Sequence, residues 1–412
     1  MIDVDQHRLA MGQTNRATCP FLPAYAPPSV MFVRGEGTWL WDARGRRYLD
    51  MVAGVAVTSL GHSHPRVAAA LASQARRLLA VSNYYATDVA TDVAEQLTGL
   101  LGGGQVFFAN SGAEANECAL KLARRHGGQE RPMIVTAQRS FHGRTFATLA
   151  ATGQPSRHEP FAPMSPWFRY VEFGNQEALE AELAGGDVAA VLLEPVQAEG
   201  GVHIATQQYW DRTRALCDRY DALLMLDEVQ TGLCRTGAWF GHQLYDLRPD
   251  VVTLAKALGN GVPVGACWAN SKVGTGFRPG LHGSTVGGQP LVMAAAREVL
   301  TIMDEMDAPA LARRAGDRLR VELTRVAGIA EVRGKGLLLA AELETGQAGA
   351  VAAECLRNGL AVNAVTSSAL RLTPSLLISD AEITFACKAI ATAIAEVAGK
   401  RPVVMPPTCQ SG

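Results

Sequence analysis

The sequence lacks the marks of several protein classes. Its 412 residues contain no run of about 18 apolar residues, the length that a membrane-spanning helix needs. The first twenty residues show no basic segment followed by an apolar one, so they predict no signal peptide. The formal net charge is only -1 and no basic patch stands out, which argues against a nucleic-acid-binding protein.

Paired cysteines are also missing. The eight cysteines are scattered along the chain, and none forms a C-x-x-C pair. This spacing gives no support to a zinc site or a redox-active dithiol. Scattered cysteines in a chain of this length are typical of reduced thiols. We therefore expect a cytoplasmic protein without a metal site.

Short apolar runs alternate with amphipathic segments through the middle of the chain. Five runs are typical of buried strands: QVFFA (105–109), PMIVTA (132–137), AAVLLE (189–194), ALLMLDE (222–228) and DVVTLA (250–255). The alternation predicts an α/β fold whose sheet is mostly parallel. In such sheets, ligands bind at the carboxyl ends of the strands.

Both ends of the chain have a different pattern. Residues 30–51, with turns at GEG and DARG, predict a β-meander. The last part, through GLLLAAELE and ALRLTPSLLI, predicts an α+β unit. We therefore expect an N-terminal segment of a small domain at 1–60, a large domain at 61–290 and the C-terminal part of the small domain at 291–412.

Lys256 is the only charged residue in the stretch VTLAKALGNGVP, residues 252–263. Lysine is rarely buried without a partner, because taking its charge out of water is costly. A surface lysine at a strand end is the simpler interpretation. The alternative is a desolvated lysine with a lowered pKa, which can act as a nucleophile or base.

Two more candidates lie at predicted strand ends. Ser111 and Glu114 fit the S-x-x-E capping box, which alone would explain them. The same Ser-Gly-Ala turn, however, exposes backbone N–H groups at a helix N-terminus, where phosphate binds. Asp227 follows an apolar strand and could simply cap a loop, or it could pair with a protonated pyridine nitrogen. Together, a lysine for an aldehyde, an aspartate for a ring nitrogen and a turn for a phosphate indicate a pyridoxal 5'-phosphate site.

Six motifs stand in an order that resembles a known family. NSGAEANE, FHGRT, EPVQAEGGV, LDEVQTG, TLAKALGNGVP and HGSTVGG are similar to the motifs of class III pyridoxal-phosphate-dependent aminotransferases, and among these to the acetylornithine aminotransferases. The resemblance covers nearly the whole chain. It implies fold type I, with a large domain around a mostly parallel sheet and a smaller α+β domain formed by both chain ends.

The resemblance implies roles in cofactor binding. Lys256 would bind the cofactor covalently and then move a proton between substrate and cofactor, and Asp227 would pair with the ring nitrogen. Val229 and Phe141 would pack on the two ring faces, and Gln230 would hydrogen-bond the ring hydroxyl. The phosphate would contact Ser111, Gly112, Ala113 and, from the neighbouring subunit, Thr285. An active site would therefore need a homodimer. His142 receives no role.

The resemblance also implies a substrate site. Arg144 would bind a substrate carboxylate, and Arg371 would hold the α-carboxylate of glutamate. Glu199 would neutralise Arg371 while the other donor is bound, so that one site accepts two donors in turn. Further substrate contacts are expected from Tyr25, Gly54 and Ser284. Three residues depart from the usual family pattern and bear on substrate fit: Val286, Gln289 and Ala198.

The activity implied is that of an N-acetylornithine:2-oxoglutarate aminotransferase in arginine biosynthesis. Ornithine aminotransferases carry a tyrosine where Gly54 aligns, and a glycine leaves room for an acylated nitrogen. Transaminases for succinylornithine, ornithine or 4-aminobutyrate remain alternatives. A mutase or racemase on the same fold would not need 2-oxoglutarate, and the Glu199–Arg371 switch argues against it. A cofactor-binding relic without activity is disfavoured because Lys256 and Asp227 are both present.

Overall fold

A small sheet joins the two ends of the chain. The computed structural model describes residues 21–399. Three antiparallel strands form the predicted meander: β1 (Phe32–Glu36), β2 (Trp39–Asp42) and β3 (Arg47–Asp50). The fourth strand comes from the other end of the chain and runs parallel to β3: β15 (Leu360–Ala361). The meander prediction is therefore confirmed.

A seven-stranded sheet forms the middle of the protein. Its strands in chain order are β4 (Gln105–Ala109), β5 (Met133–Ala137), β6 (Phe168–Val171), β7 (Val188–Leu193), β10 (Leu223–Asp227), β11 (Val251–Leu254) and β12 (Gly265–Ala269). They lie in the order β4-β12-β11-β10-β7-β5-β6, and only β12 is antiparallel to its neighbours. The prediction of a mostly parallel sheet is confirmed. β6 and β12 were not predicted, because FRYV carries polar residues and GACWA has weak strand formers.

Helices cover this sheet and the C-terminal part. They are α1 (Pro65–Arg77), α2 (Asp88–Leu100), α3 (Gly112–Gly127), α4 (Phe146–Ala151), α5 (Pro155–His158), α6 (Gln176–Ala184), α7 (Gln207–Arg219), α8 (Ser271–Gly274), α9 (Pro290–Glu305), α10 (Ala308–Thr324), α11 (Ala348–Arg357) and α12 (Asp380–Gly399). α1 and α9 begin with proline, whose missing N–H is not needed in the first turn. Three 3₁₀ turns lie at Glu159–Phe161, Gly241–Tyr245 and Lys256–Leu258.

A second four-stranded sheet lies in the C-terminal part. Its strands are β13 (Ile329–Lys335), β14 (Leu338–Leu343), β16 (Asn363–Ala364) and β17 (Ala369–Leu372), in the antiparallel order β13-β14-β17-β16. A hairpin of two-residue strands lies apart from both: β8 (Val196–Gln197) and β9 (His203–Ile204). The domain boundaries near residues 60 and 290 stay a prediction.

The core lies on both faces of the large sheet. All six residues of β7 are buried, which explains its continuous apolar run. One apolar cluster packs under α3, and another packs under α6 and α7. Within residues 21–399, the six cysteines are free and buried. No helix in the same range is long and apolar enough to cross a membrane.

The pairing of β15 with β3 makes a stability prediction. Leu360 is fully buried opposite Leu49, so Leu360→Ala should leave a cavity and lower the free energy of unfolding by about 2–5 kcal/mol. Val321→Ala, at an exposed position of α10, is the control and should change it by less than about 0.5 kcal/mol. Urea unfolding measures both. Equal losses in the two variants would contradict the joining of the chain ends in one packed sheet.

Candidate active site

A cavity of about 400 Å³ opens at the carboxyl ends of three strands of the large sheet. Ser111 comes two residues after β4, Asp227 ends β10 and Lys256 follows β11. β10 and β11 are parallel, with Asp227 opposite Thr253, so the aspartate and the lysine reach the same edge. The prediction that these strand ends meet is therefore confirmed.

Lys256 has a free amine in this cavity. The residue begins a 3₁₀ turn with a positive φ of 43°, a strained conformation for a side chain with a Cβ. Within the described residues, its Nζ has no hydrogen-bond or ion-pair partner at contact distance. Burial lowers the pKa of Lys256, and the negative charges of Glu199 and Asp227 only partly oppose this. The chain thus holds an amine that is ready to react or to take up a proton.

Asp227 is buried and held by three donors. Its Oδ2 accepts hydrogen bonds from His142 Nδ1 at 2.8 Å and from Asn116 Nδ2 at 2.7 Å. Its Oδ1 accepts one from the backbone N–H of Val229 at 3.0 Å. His142, which the sequence left without a role, therefore orients the carboxylate. Its Nε2 is buried and has no hydrogen-bond partner among the described residues.

Asn116 is a functional residue that the sequence analysis missed. Its Nδ2 donates to the backbone carbonyl of His142 at 2.8 Å as well as to Asp227. Its Oδ1 accepts from Thr253 Oγ1 at 2.7 Å. One amide thus links α3, β11 and the aspartate. Its place one turn into the helix that follows the Ser-Gly-Ala turn was the only available signal.

The turn before α3 leaves backbone N–H groups open to the cavity. Ser111 Oγ accepts from the N–H of Glu114 at 3.2 Å, as the capping box predicts. The Glu114 carboxylate bonds the N–H of Asn110 instead of that of Ser111. A Cβ at Gly112 would lie 2.8 Å from the Val229 side chain, and one at Gly265 would lie 2.3 Å from the Ser111 carbonyl. Both glycines therefore keep the turn close to its neighbours at a helix N-terminus suited to phosphate.

Phe141 forms one side of the cavity. Its backbone N–H donates to Glu194 Oε2 at 3.2 Å, and burial strongly raises the pKa of the Glu194 carboxyl. The guanidinium groups of Arg144 and Arg157 lie 5.7 Å and 5.5 Å from the centre of the Phe141 ring. Arg144 is exposed at the cavity entrance, where its planar fork is free to bind a carboxylate.

Glu199 and Arg371 form an ion pair in which the arginine is buried and the carboxylate is partly exposed. Arg371 Nη1 donates to Glu199 Oε1 at 2.5 Å and lies 3.4 Å from Gln230 Oε1, while Nη2 donates to Asn363 Oδ1 at 2.9 Å. Burial raises the pKa of Glu199, but the charge and hydrogen bond of Arg371 outweigh it and leave the pKa below its ordinary value. The Nε of Arg371 is buried without a partner in the described part of the chain. The arginine thus keeps donor capacity for a further acceptor.

Most predicted site residues meet in the cavity, and some do not. The cavity is lined by Ser111, Gly112, Ala113, Phe141, Arg144, Glu199, Asp227, Val229, Gln230 and Lys256. Arg371 joins it through Glu199 and Gln230. Ser284 lies at its edge, where its Oγ accepts from Asn110 Nδ2 at 3.2 Å. Three predicted residues lie outside its lining and are exposed: Tyr25, Gly54 and Thr285. Val57, near Gly54, lines the cavity instead.

The residues present fit pyridoxal 5'-phosphate. The free Nζ of Lys256 suits its aldehyde, and the oriented carboxylate of Asp227 suits its ring nitrogen. The open turn at the start of α3, whose glycine admits no side chain, suits its phosphate. The fold and the cavity therefore define a pyridoxal-phosphate-dependent transferase.

Comparisons with known proteins agree with this class. Residues 22–394 match the family described as aminotransferase class-III. The acetylornithine aminotransferase of Corynebacterium efficiens is 43% identical over 386 residues, covering 91% of this chain and 95% of that protein. The acetylornithine aminotransferase of Xanthomonas axonopodis pv. citri is 45% identical over 379 residues, covering 88% and 92%.

Solved structures give the same result. The ornithine aminotransferase of Toxoplasma gondii is similar with a TM-score of 0.90 and 33% identity, covering 97% of both chains. The N-acetylornithine aminotransferase of Stenotrophomonas maltophilia has a TM-score of 0.81 and 38% identity, covering 92% of this chain and 98% of that one. The chain belongs to the class III aminotransferase family, whose members have fold type I and use pyridoxal phosphate.

The Glu199–Arg371 pair makes stability depend on pH. The pKa of Glu199 is lowered in the folded protein, so its contribution is present above the unfolded pKa of about 4.3 and is lost as pH falls through the folded value. Glu199→Gln should therefore lower the free energy of unfolding at pH 7 by on the order of 2 kcal/mol, with a smaller loss below pH 4. Urea unfolding at both pH values measures this.

The matched control is Glu331→Gln, at an exposed carboxylate 3.2 Å from Arg333. It should change stability by less than about 0.5 kcal/mol at either pH. A loss in Glu199→Gln that is the same at both pH values would contradict an ionised Glu199 in the native protein.

Proposed function

We propose that this protein is a homodimeric cytoplasmic aminotransferase that uses N-acetylornithine and 2-oxoglutarate. The δ-amino group of N-acetylornithine is transferred, which leaves N-acetylglutamate 5-semialdehyde. 2-Oxoglutarate then takes up the nitrogen and becomes glutamate. The role would be in arginine biosynthesis. The Glu199–Arg371 ion pair is the observation that carries the proposal, and the curated relatives named acetylornithine aminotransferase support the choice of donor.

The cofactor and the chain divide the chemistry. When bound, pyridoxal phosphate supplies an aldehyde for the donor amine and a ring that accepts the electron pair left on the substrate carbon. Asp227 would pair with the ring nitrogen and favour its protonated form, because His142 and Asn116 hold its Oδ2 in place. Lys256 Nζ, whose pKa is lowered, would take the proton from the substrate carbon and pass it to the cofactor carbon that carried the aldehyde oxygen.

The Glu199–Arg371 ion pair would allow one site to accept two donors in turn. N-acetylornithine presents its δ-amine and needs no carboxylate at Arg371, so Glu199 can stay paired with the guanidinium. Glutamate and 2-oxoglutarate carry a carboxylate next to the reacting carbon. That carboxylate takes the place of Glu199 and pairs with Arg371 through its planar fork. Arg144, at the entrance, binds the distal carboxylate, and Gly54 leaves room for the acyl group.

Other donors remain the alternative. The structural similarity to the Toxoplasma gondii ornithine aminotransferase supports ornithine as a competing donor. Succinylornithine and 4-aminobutyrate would use the same cofactor contacts. They would differ from N-acetylornithine in their contacts with Tyr25, Gly54 and Ser284. A mutase or racemase is disfavoured, because it would have no use for a carboxylate that releases Arg371 between two substrates.

Turnover with four donors tests the proposal. The pure protein is supplied with 2-oxoglutarate and, in parallel, N-acetylornithine, N-succinylornithine, ornithine and 4-aminobutyrate, and glutamate is measured. We expect kcat/KM for N-acetylornithine to exceed that for ornithine by about tenfold or more, because a site built around an acyl group gains its binding energy only from the acylated donor. A preference for another donor would overturn the substrate assignment and leave the cofactor chemistry in place.

An exposed apolar patch supports the homodimer. Tyr84 is 92% exposed and Val286 is 53% exposed, and Tyr85 is also largely exposed. The two segments that carry them are joined by Asn83, whose Nδ2 donates to the carbonyl of Ser284 at 2.8 Å. Large apolar patches on a surface mark interaction sites. In the proposed homodimer a second copy would cover this patch, and its Thr285, which is also exposed, would contact the phosphate at the first copy's turn, as the family resemblance implies.

Subunit mixing tests the shared site. Lys256→Ala and Thr285→Glu should each be inactive alone, since one lacks the amine and the other places a negative charge beside the phosphate. After unfolding and refolding together, activity should return to about a quarter of the wild-type level, because half of random dimers are mixed and each mixed dimer has one intact site. Recovery at the level of the separate variants would contradict a site shared between subunits.

A further inference from the structure

Residues 53–56 form a turn with left-handed helical backbone angles. Ala53, Gly54, Val55 and Ala56 have φ values of 48°, 63°, 63° and 65°. These are left-handed helical values, which only glycine adopts without a steric penalty. Val55 is β-branched, which makes the conformation still less favourable. Backbone strain of this kind persists only where contacts with surrounding residues hold the conformation.

One support comes from the strand before the turn. Asp50 Oδ1 accepts hydrogen bonds from the N–H groups of Val52 and Ala53, both at 2.9 Å. Its Oδ2 lies 2.8 Å from His62 Nε2. The carboxylate thus fixes the start of the turn, and the histidine fixes the carboxylate.

The other support comes from residues 373–376, which we call the splint. The N–H and Oγ1 of Thr373 donate to the carbonyls of Met51 and Val52, both at 2.8 Å. Beyond the turn, the N–H of Leu376 and the Oγ of Ser375 donate to the carbonyl of Ser59, at 2.8 Å and 2.9 Å. The splint therefore brackets the turn from both ends.

A buried guanidinium joins the splint to Ser59, just beyond the turn. Arg235 Nη2 donates to Ser59 Oγ at 2.7 Å, and Nη1 donates to the carbonyl of Pro374 at 2.6 Å. The side chain is almost completely buried, and within the described residues no carboxylate pairs with it. Burying a charge without a carboxylate partner is costly, and these hydrogen bonds offset part of that cost. They also hold Ser59 and Pro374 next to the same guanidinium.

The splint begins two residues after Arg371. Val57, which directly follows the left-handed turn, lines the cavity, and so does Glu199, the ion-pair partner of Arg371. Val57 and Arg371 are 314 residues apart in the sequence (371 − 57), and Thr373 links the two segments that carry them. We propose that Thr373 is a positioning residue, which fixes the left-handed turn against the strand that carries Arg371 and so sets the width of the substrate site. This rests on the proposed role of Arg371 in binding the carboxylate of 2-oxoglutarate.

Thr373→Val tests this with little change in shape, because it removes the hydroxyl and keeps the branched side chain. Thr213→Val is the matched control. Thr213 is 1% exposed, as Thr373 is, and its Oγ1 also donates to a backbone carbonyl at 2.8 Å, that of Tyr209 in α7. It does not line the cavity. The two variants should therefore show similar falls in melting temperature.

Steady-state kinetics of the holoenzyme separate positioning from stability. Thr373→Val should raise KM for 2-oxoglutarate about two- to tenfold and change kcat less than about twofold. The reason is that a looser site binds the ground state and the transition state less tightly by the same amount. Thr213→Val should leave both constants within about twofold of wild type, and Thr373→Ser, which keeps the hydroxyl, should restore KM. An unchanged KM in Thr373→Val, or a failure of that variant to fold where Thr213→Val folds, would overturn the proposal.

Amide hydrogen exchange of the holoenzyme adds a measurement that needs no substrate. Exchange in the segment 52–61 should be faster in Thr373→Val and unchanged in Thr213→Val and Thr373→Ser. Unchanged exchange in Thr373→Val would also overturn the proposal. Failure of the proposed function gives a different result, because wild-type protein would then not consume 2-oxoglutarate while the exchange difference at 52–61 would persist.

Discussion

The lone amine of Lys256 is the constraint on which the site depends. Lys256, at the end of a buried strand, loses water and gains no hydrogen-bond partner among residues 21–399, and this burial lowers its pKa. The cost is tolerated because Asp227 and Glu199 stand near enough to offset part of it. Each of these carboxylates is held in turn, Asp227 by His142 and Asn116 and Glu199 by Arg371. Within the described residues, the carboxylates near the lysine are thus held by other partners, and its amine is left free.

Contacts between distant parts of the chain hold the segments around the cavity in place. The two chain ends pair in one sheet, and the splint ties the left-handed turn near the N-terminus to the strand of Arg371 near the C-terminus. Arg235 lies between them and reaches both. The carboxylate site proposed at Arg371 therefore lies on a strand whose position depends on contacts between distant parts of the sequence.

The central elements were predictable because the signals were local. Apolar runs located five strands, and parallel pairing placed Asp227 and Lys256 at one edge. The role of Asn116 could not be predicted, since its contact with Asp227 spans 111 residues. The left-handed turn was also invisible, because the propensity of Val55 opposes it and only tertiary contacts hold it. Two strands of the large sheet escaped prediction, FRYV and GACWA, since their residues give a weak pattern. The expected substrate contacts of Tyr25 and Gly54 stay predictions. In the structure both residues are exposed and lie outside the cavity lining.

The most direct test of the account is to trap the cofactor on the chain. The protein is loaded with pyridoxal 5'-phosphate, reduced with borohydride, digested and analysed by mass spectrometry. The sequence contains six lysines, so the modified residue can be identified without ambiguity. The account predicts that the modification lies on Lys256 and is absent when the unfolded protein is treated in the same way. Modification of a different lysine, or equal modification of several, would contradict a site built around the free amine of Lys256.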